Sequence, residues 1–346
     1  MPSISSVQTS SPSIQVSKDQ MLNIAEHWLQ DDDEAKERLL RIIKGSGVEN
    51  RKFTLPHETL LSLNGMSGRS KYFETQGTQH LGKVISDTLE IEKLSPAEIS
   101  TLIFTSCSVP SIPSIDAKAI TEGRLPSNIS RVPIYQHGCA GGVVSLALGA
   151  KMASLGKPVI ISSVELCSLV FQPGSHEGTQ LVAAAIFADG AAAAVISPGE
   201  GEVNIVGSQS LLLEESRHLM GYDIFDDGFY LRLDRGLPTA LANQAPTIVT
   251  EFLLKYELKK ADINFWLFHP GGVKILDFLA KAFELNHAQC RWSYEILRDN
   301  GNMSSATILF VLQKFLAEQS LKPGERALVM GIGPGLTVEL VLLEGR

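Results

Sequence analysis

Three residues, each at a turn between apolar segments, carry the chemistry this sequence can do. Cys139 lies in YQHGCAGGVVSLALGAK, residues 135–151, where a strand pattern gives way to a glycine-rich helix start. Unpaired N–H groups and the positive end of the helix dipole at such a start lower a thiol's pKa. A lone cysteine is more often a small buried hydrophobe. Gly138, Gly141 and Gly142, however, clear side chains from around this sulfur, which a bulky incoming substrate needs and a packing residue does not. His269, in WLFHPGG, ends a buried-strand pattern; it is either a core histidine bonded to backbone or the partner that holds a thiolate in an ion pair. Asn302, in DNGNMSSAT, precedes a helix, where capping accounts for it and an oxyanion donor is the alternative. Together the three can supply nucleophile, base and oxyanion donor, provided the fold brings them together.

The elements that must position them alternate. STLIFTSCSV, VPIYQH and PVIISSVE read as strands, AGGVVSLALGAKMASLG as the helix after Cys139, and AAIFADGAAAAVISP with VNIVGSQSLLL as a strand pair. TIVTEFLLKYEL is helical, INFWLFHPGG is a strand ending at a turn, and VKILDFLAKAFEL is a helix. SSATILFVLQKFLAEQS is helical, and RALVMGIGPGLTVELVLLEG gives two strands joined by a Gly/Pro turn. This alternation predicts an α/β fold with buried sheets. The strand, turn and helix at Cys139 recur at His269, which predicts two similar halves facing one cleft. GIGPGLTVE is not a dinucleotide loop, because a strand follows it where such a loop needs a helix. It suits a glycine-lined wall of a cavity, formed by Gly333, Pro334 and Gly335. Upstream, DQMLNIAEHWL and DDDEAKERLLRIIKG are amphipathic helices after a polar, Ser-rich N-terminus.

Composition removes several function classes. A chain of 346 residues, 44% hydrophobic and 20% charged, is ordinary globular composition. A net charge of −8 without a basic block argues against nucleic acid and anionic membrane as partners. Cys107, Cys139, Cys167 and Cys290 lie far apart with no CxxC, so neither a disulfide framework nor a zinc ribbon is expected and a reduced cytoplasm fits. No secretory signal is read at the N-terminus. LVAAAIFADGAAAAVI is interrupted by Asp189 and Gly190, so no membrane span is expected.

GCAGG with Cys139, FHPGG with His269, GNMSSA with Asn302 and GIGPGLTVE, in that order, resemble the chalcone synthase superfamily, the type III polyketide synthases. The resemblance spans residues 15–346, and ENRKFTLP and CSVPSIPSIDAKAI look closer to bacterial members than to plant ones. It implies a thiolase fold of two βαβαβαββ halves, residues 1–205 with the cysteine and 206–346 with the histidine and asparagine. It also implies a homodimer without metal, cofactor or carrier protein, using malonyl-CoA and an acyl-CoA starter. By the same resemblance Cys139 takes the starter acyl group, and His269 with Asn302 stabilises the enolate left when malonyl-CoA decarboxylates. Phe187 matches one gatekeeper phenylalanine, and Leu231 stands where the family has a second. Cys107 and Val170 replace cavity threonines, which favours an aliphatic chain and a pyrone, resorcinol or phloroglucinol product. Ile112 sits where the family sends a residue into the partner's cavity. Arg51 and Lys52 lie in the segment that contacts coenzyme A phosphates, with two surface cations as the alternative. A thiolase needs a second reactive cysteine that GIGPG lacks. A ketoacyl synthase III shares the Cys-His-Asn set but has Gln-Ala-Asn after a histidine, and a non-catalytic partner subunit usually loses one of the three.

Overall fold

Val159–Leu166 (VIISSVEL) and Asp189–Ser197 (DGAAAAVIS) are buried at every position, which only strands covered on both faces can be. The computed structural model describes residues 1–346 apart from 64 and 200. Among the described residues nine strands form one sheet, in the order Phe265–Phe268, Arg326–Gly333, Thr337–Gly345, Val203–Leu212, Ser3–Ser10, Asp189–Ser197, Val159–Leu166, Thr101–Ser106 and Ser130–Tyr135.

The order contains one pattern twice. Ser3–Ser10 lies antiparallel to Asp189–Ser197, which is antiparallel to Val159–Leu166, which is parallel to Thr101–Ser106. Val203–Leu212 lies antiparallel to Thr337–Gly345, which is antiparallel to Arg326–Gly333, which is parallel to Phe265–Phe268. The patterns join where Ser3 pairs with Asn204 and Ile4 with Val203. Ser130–Tyr135 extends only the first.

Two helices occupy equivalent places, Gly141–Ala153 before Val159–Leu166 and Thr307–Glu318 before Arg326–Gly333. Each is entered through a short 3₁₀ turn, Gly138–Ala140 or Ser304–Ala306. Both helices touch strands of both patterns and so form an inner layer between them. Strand alternation divides the core accordingly. Val159 and Ile161 pack with Val143, Leu146 and Val311 of the inner helices, whereas Ile160 and Val164 join the outer cluster with Val84 and Ile85.

The Ser-rich N-terminus departs from expectation. Ser3–Ser10 is a strand in the middle of the sheet, with Ser3 and Ile4 fully buried. Only Ile4 and Val7 give it apolar anchors; pairing along Asp189–Ser197 satisfies its backbone and supplies the rest. The correspondence between halves also differs: the turn equivalent to that of Cys139 is Ser304–Ala306, and His269 is matched by Cys107, which follows Thr101–Ser106. No helix among the described residues is long and apolar enough to cross a membrane.

Candidate active site

Cys139, His269 and Asn302 all line one cavity of about 710 Å³. Cys139 occupies the turn Gly138–Ala140 at the foot of helix Gly141–Ala153. Gly138 has φ 53°, and a Cβ there would collide with the Pro334 ring; the C-terminal glycine turn thus closes against the cysteine turn. The other two glycines serve packing instead of substrate clearance. A Cβ at Gly142 would strike the Ser305 carbonyl oxygen, and one at Gly141 would crowd Thr105 and Ser305. They let the start of one inner helix meet the start of the other.

The Cys139 thiol lies 3.7 Å from Ser304 Oγ, which is 3.1 Å from Cys107 Sγ. Burial pushes this thiol up to about 12; the Ser304 contact opposes that rise and the Glu165 carboxylate adds to it. Burial therefore disfavours an isolated thiolate here.

His269 is held by its own N–H to the Met330 carbonyl at 2.8 Å, one step beyond the parallel register of Phe265–Phe268. Its ring is 2% exposed, and neither nitrogen has a hydrogen-bond partner. The backbone-satisfied core histidine is thus excluded. Burial alone pushes its pKa down to about 3, so the ring is neutral when it stands alone.

The caps of Ser304–Ala306 and Thr307–Glu318 are Met303 and Ala306, so Asn302 is not the helix cap. Its backbone N–H donates to Ile186 O at 2.8 Å, and its carbonyl accepts from Ala188 N at 2.9 Å. Its Oδ1 accepts from Ser304 N at 2.8 Å, organising the turn, and the side chain opposes the rise that burial gives the Cys139 pKa, while Nδ2 reaches Gly271 O at 3.4 Å. That weak contact leaves a donor available to the cavity. Because Phe187 lies between Ile186 and Ala188, the same bonds seat it beside Asn302.

Three residues were not singled out by sequence reasoning. Ser304 bridges the two thiols and has φ 47°, a left-handed conformation costly for serine. Glu165 is fully buried. Its carboxylate accepts from the N–H groups of Cys107 and Ser108, and from Ser305 Oγ. Burial nevertheless raises its pKa. Tyr222, with Phe187 and Leu231, lines both the catalytic cavity and a larger one of about 870 Å³. No sequence signal marked Tyr222, because its importance comes from pairing with Leu231 across a hairpin.

The remaining expected residues separate. Cys107 and Pro334 line the catalytic cavity, whereas Val170 lines the larger one. Gly333 and Gly335 are absent from both linings; Gly333 packs against the His137–Ala140 turn and Gly335 against Leu212. Ile112 is 99% exposed. Arg51 is not a surface cation: it lines the larger cavity. It is 6% exposed, its Nη1 donates to Ala184 O at 2.6 Å and Phe187 O at 2.8 Å, and its charge offsets that of Asp189. Lys52 is half-buried and lines neither cavity. Among the described residues no three His, Cys, Asp or Glu side chains are grouped to hold a metal ion.

Comparison with known proteins agrees with this geometry. The family model for chalcone and stilbene synthases, N-terminal domain, matches residues 4–200, and the one for the C-terminal domain matches residues 204–345. A 1,3,6,8-tetrahydroxynaphthalene synthase from Streptomyces peucetius subsp. caesius is 32% identical over 316 residues, 88% of this chain and 83% of that protein. A phloroglucinol synthase from Pseudomonas fluorescens is 30% identical over 308 residues, 88% of each chain. The solved structure of the tetrahydroxynaphthalene synthase of Streptomyces coelicolor, a bacterial type III polyketide synthase, superposes with a TM-score of 0.95 at 28% identity, covering 99% of each chain. The fold is the thiolase fold.

Proposed function

This chain belongs to the chalcone and stilbene synthase family, the type III polyketide synthases, and from that premise we propose that it builds a short polyketide from an aliphatic acyl-CoA starter and malonyl-CoA. The observation that carries the reading is the convergence of Cys139, His269 and Asn302 on one cavity that shares Phe187, Tyr222 and Leu231 with a second, apolar one.

Burial disfavours both a lone Cys139 thiolate and a lone His269 imidazolium. The resting pair is therefore neutral, and the Sγ proton passes to an unpartnered ring nitrogen of His269 as the attack proceeds. The sulfur attacks the starter thioester carbonyl, a C–S bond forms, and coenzyme A leaves as the thiol with that proton. Malonyl-CoA then loses CO2, and the electron pair of the broken C–C bond becomes an enolate. Its oxygen accepts from His269 and from Asn302 Nδ2. The enolate carbon attacks the acyl carbonyl on Cys139, forming the new C–C bond and releasing the Cys139 thiolate. Decarboxylation supplies the carbanion, so this sequence consumes no redox cofactor.

The larger cavity suits an aliphatic chain, because Met21, Ile24, Leu39, Ile43 and Phe53 line it. Leu39 and Ile43 belong to helix Asp33–Gly45. The same helix carries Arg38, Arg41 and Lys44 at half-buried or exposed positions, which makes them better phosphate ligands for coenzyme A than Arg51. Ile112, fully solvated in a single chain, suits insertion into a second copy, giving a homodimer in the cytoplasm.

The test is mass spectrometry of products from purified protein, malonyl-CoA and a starter panel. Tri- or tetraketide pyrones, resorcinols or phloroglucinols from aliphatic starters support the reading. Absence of any condensation with short, long and aromatic starters overturns it.

A further inference from the structure

The hairpin Met220–Phe225 and Gly228–Leu233 stands outside the nine-stranded sheet, yet it supplies Tyr222 and Leu231 to the lining of both cavities. These two are direct cross-strand partners and point to one face. Phe187 also lines both cavities, and its distance from these two depends on how the hairpin is held.

Two buried glutamines hold it, each only 4% exposed. Gln180 Nε2 donates to the carbonyl of Leu231 itself at 3.0 Å. Gln180 belongs to helix Gly178–Ile186, whose C-cap is Phe187. One hydrogen bond therefore ties the hairpin to the helix that ends at Phe187. Gln172 Nε2 donates to Phe229 O at 3.2 Å, and a side chain at Gly228 would collide with this amide.

The Gln172 amide is oriented from behind. Arg69 Nη2 donates to Gln172 Oε1 at 3.3 Å, while Nη1 donates to Leu169 O at 2.6 Å and Phe171 O at 2.7 Å. A guanidinium only donates, so it takes the amide oxygen and turns the amide NH₂ toward the hairpin. Arg69 is 2% exposed, and its use of carbonyls in place of a carboxylate suits it to orient dipoles.

We propose that Arg69, Gln172 and Gln180 are positioning residues that set the aperture between the catalytic and larger cavities, and so the length of acyl chain the enzyme handles. This rests on the reading of Phe187, Tyr222 and Leu231 as a gate between the site of condensation and the site that holds the chain. Each clamp on the hairpin is a neutral hydrogen bond of ordinary strength, whose loss shifts an open population by about fivefold.

Gln180→Leu and Gln172→Met retain much of the side-chain volume and remove the donor. The full chain and both variants are assayed for kcat/KM with straight-chain starters from butyryl-CoA to palmitoyl-CoA. The expected result is a rise of about fivefold in the long-to-short ratio. Gln172→Met, which lies outside both cavity linings, decarboxylates malonyl-CoA at the parent rate. Adding Leu231→Phe to Gln180→Leu returns the ratio toward the parent's, because a larger side chain refills the aperture. An unchanged ratio and product set in both variants overturns the proposal. Uniform loss of all activities, or failure of both variants to fold, also overturns it, since the bonds then serve stability. Absence of condensation by the parent protein instead overturns the functional reading beneath it.

Discussion

The two halves present the same scaffold positions with opposite chemistry. The strand ends after Thr101–Ser106 and Phe265–Phe268 carry Cys107 and His269, and the inner-helix turns carry Cys139 and the Ser304–Ala306 segment. In the first half, the penultimate residue of Val159–Leu166 is Glu165, a carboxylate bonded by the Cys107 and Ser108 N–H groups. In the second half, the penultimate residue of Arg326–Gly333 is Ile332, which lines the catalytic cavity near a histidine with no hydrogen bond. One half thus holds a hydrogen-bonded carboxylate close enough to act on the Cys139 thiol, and the other a buried imidazole whose ring has no hydrogen bond. The difference teaches that a duplicated framework gives positions, while a reactive pair needs unequal environments that leave one imidazole free to accept a proton.

Removing the nucleophile breaks this asymmetry most severely. Cys139→Ala is expected to lower condensation by about 10⁴-fold, read as polyketide product, because no other group can carry the acyl chain. Malonyl-CoA decarboxylation persists in that variant, since His269 and Asn302 remain. His269→Ala is expected to cost about 10²- to 10³-fold in decarboxylation, the magnitude of losing an oxyanion donor. It also changes thiol reactivity. With His269 present, a ring nitrogen can accept the Sγ proton as the thiol reacts, so Cys139 alkylation by iodoacetamide at neutral pH is expected to be faster than in His269→Ala. Without it, only the small thiolate fraction reacts, and the rate rises about tenfold per pH unit. Equal neutral-pH rates in the two proteins would break the assignment of His269 as proton acceptor.

The junction between halves gives a smaller effect. Gly142→Ala drives a methyl into the Ser305 carbonyl and is expected to cost about 1–3 kcal/mol by urea unfolding. Acid stability is subtler. His269 is neutral in the fold down to about pH 3 but protonates near 6.5 when unfolded. The unfolded chain therefore binds more protons as pH falls through 6.5, and stability declines toward pH 3. His269→Gln relieves this and should gain about 2 kcal/mol at pH 5 relative to its own difference from the parent at pH 8.

What was legible in the chain depended on how local each signal is. The strand and helix patterns around Cys139, His269 and Asn302 are carried by consecutive residues, and their turns stand where the patterns placed them. Arg51 misled because a basic residue in a polar segment reads as exposed, yet its carbonyl partners lie 133 and 136 residues along the chain. Gly141 and Gly142 misled for a similar reason: the atoms that crowd them come from Thr105 and Ser305. Ser3–Ser10 has too few apolar residues to announce a central strand, and only its neighbours in the sheet make it one.

By itself the sequence determined the alternation of buried strands and helices, the three reactive side-chain types, and their placement at element ends, because periodicity and turn chemistry act over a few residues. The tertiary structure decided the rest. It brought Cys139, His269 and Asn302 to one cavity, buried the imidazole so that its charged form is disfavoured, and gave Tyr222 and Leu231 a place in the lining of two cavities. Those properties arise from distance and desolvation among residues far apart in the chain, which no local pattern specifies.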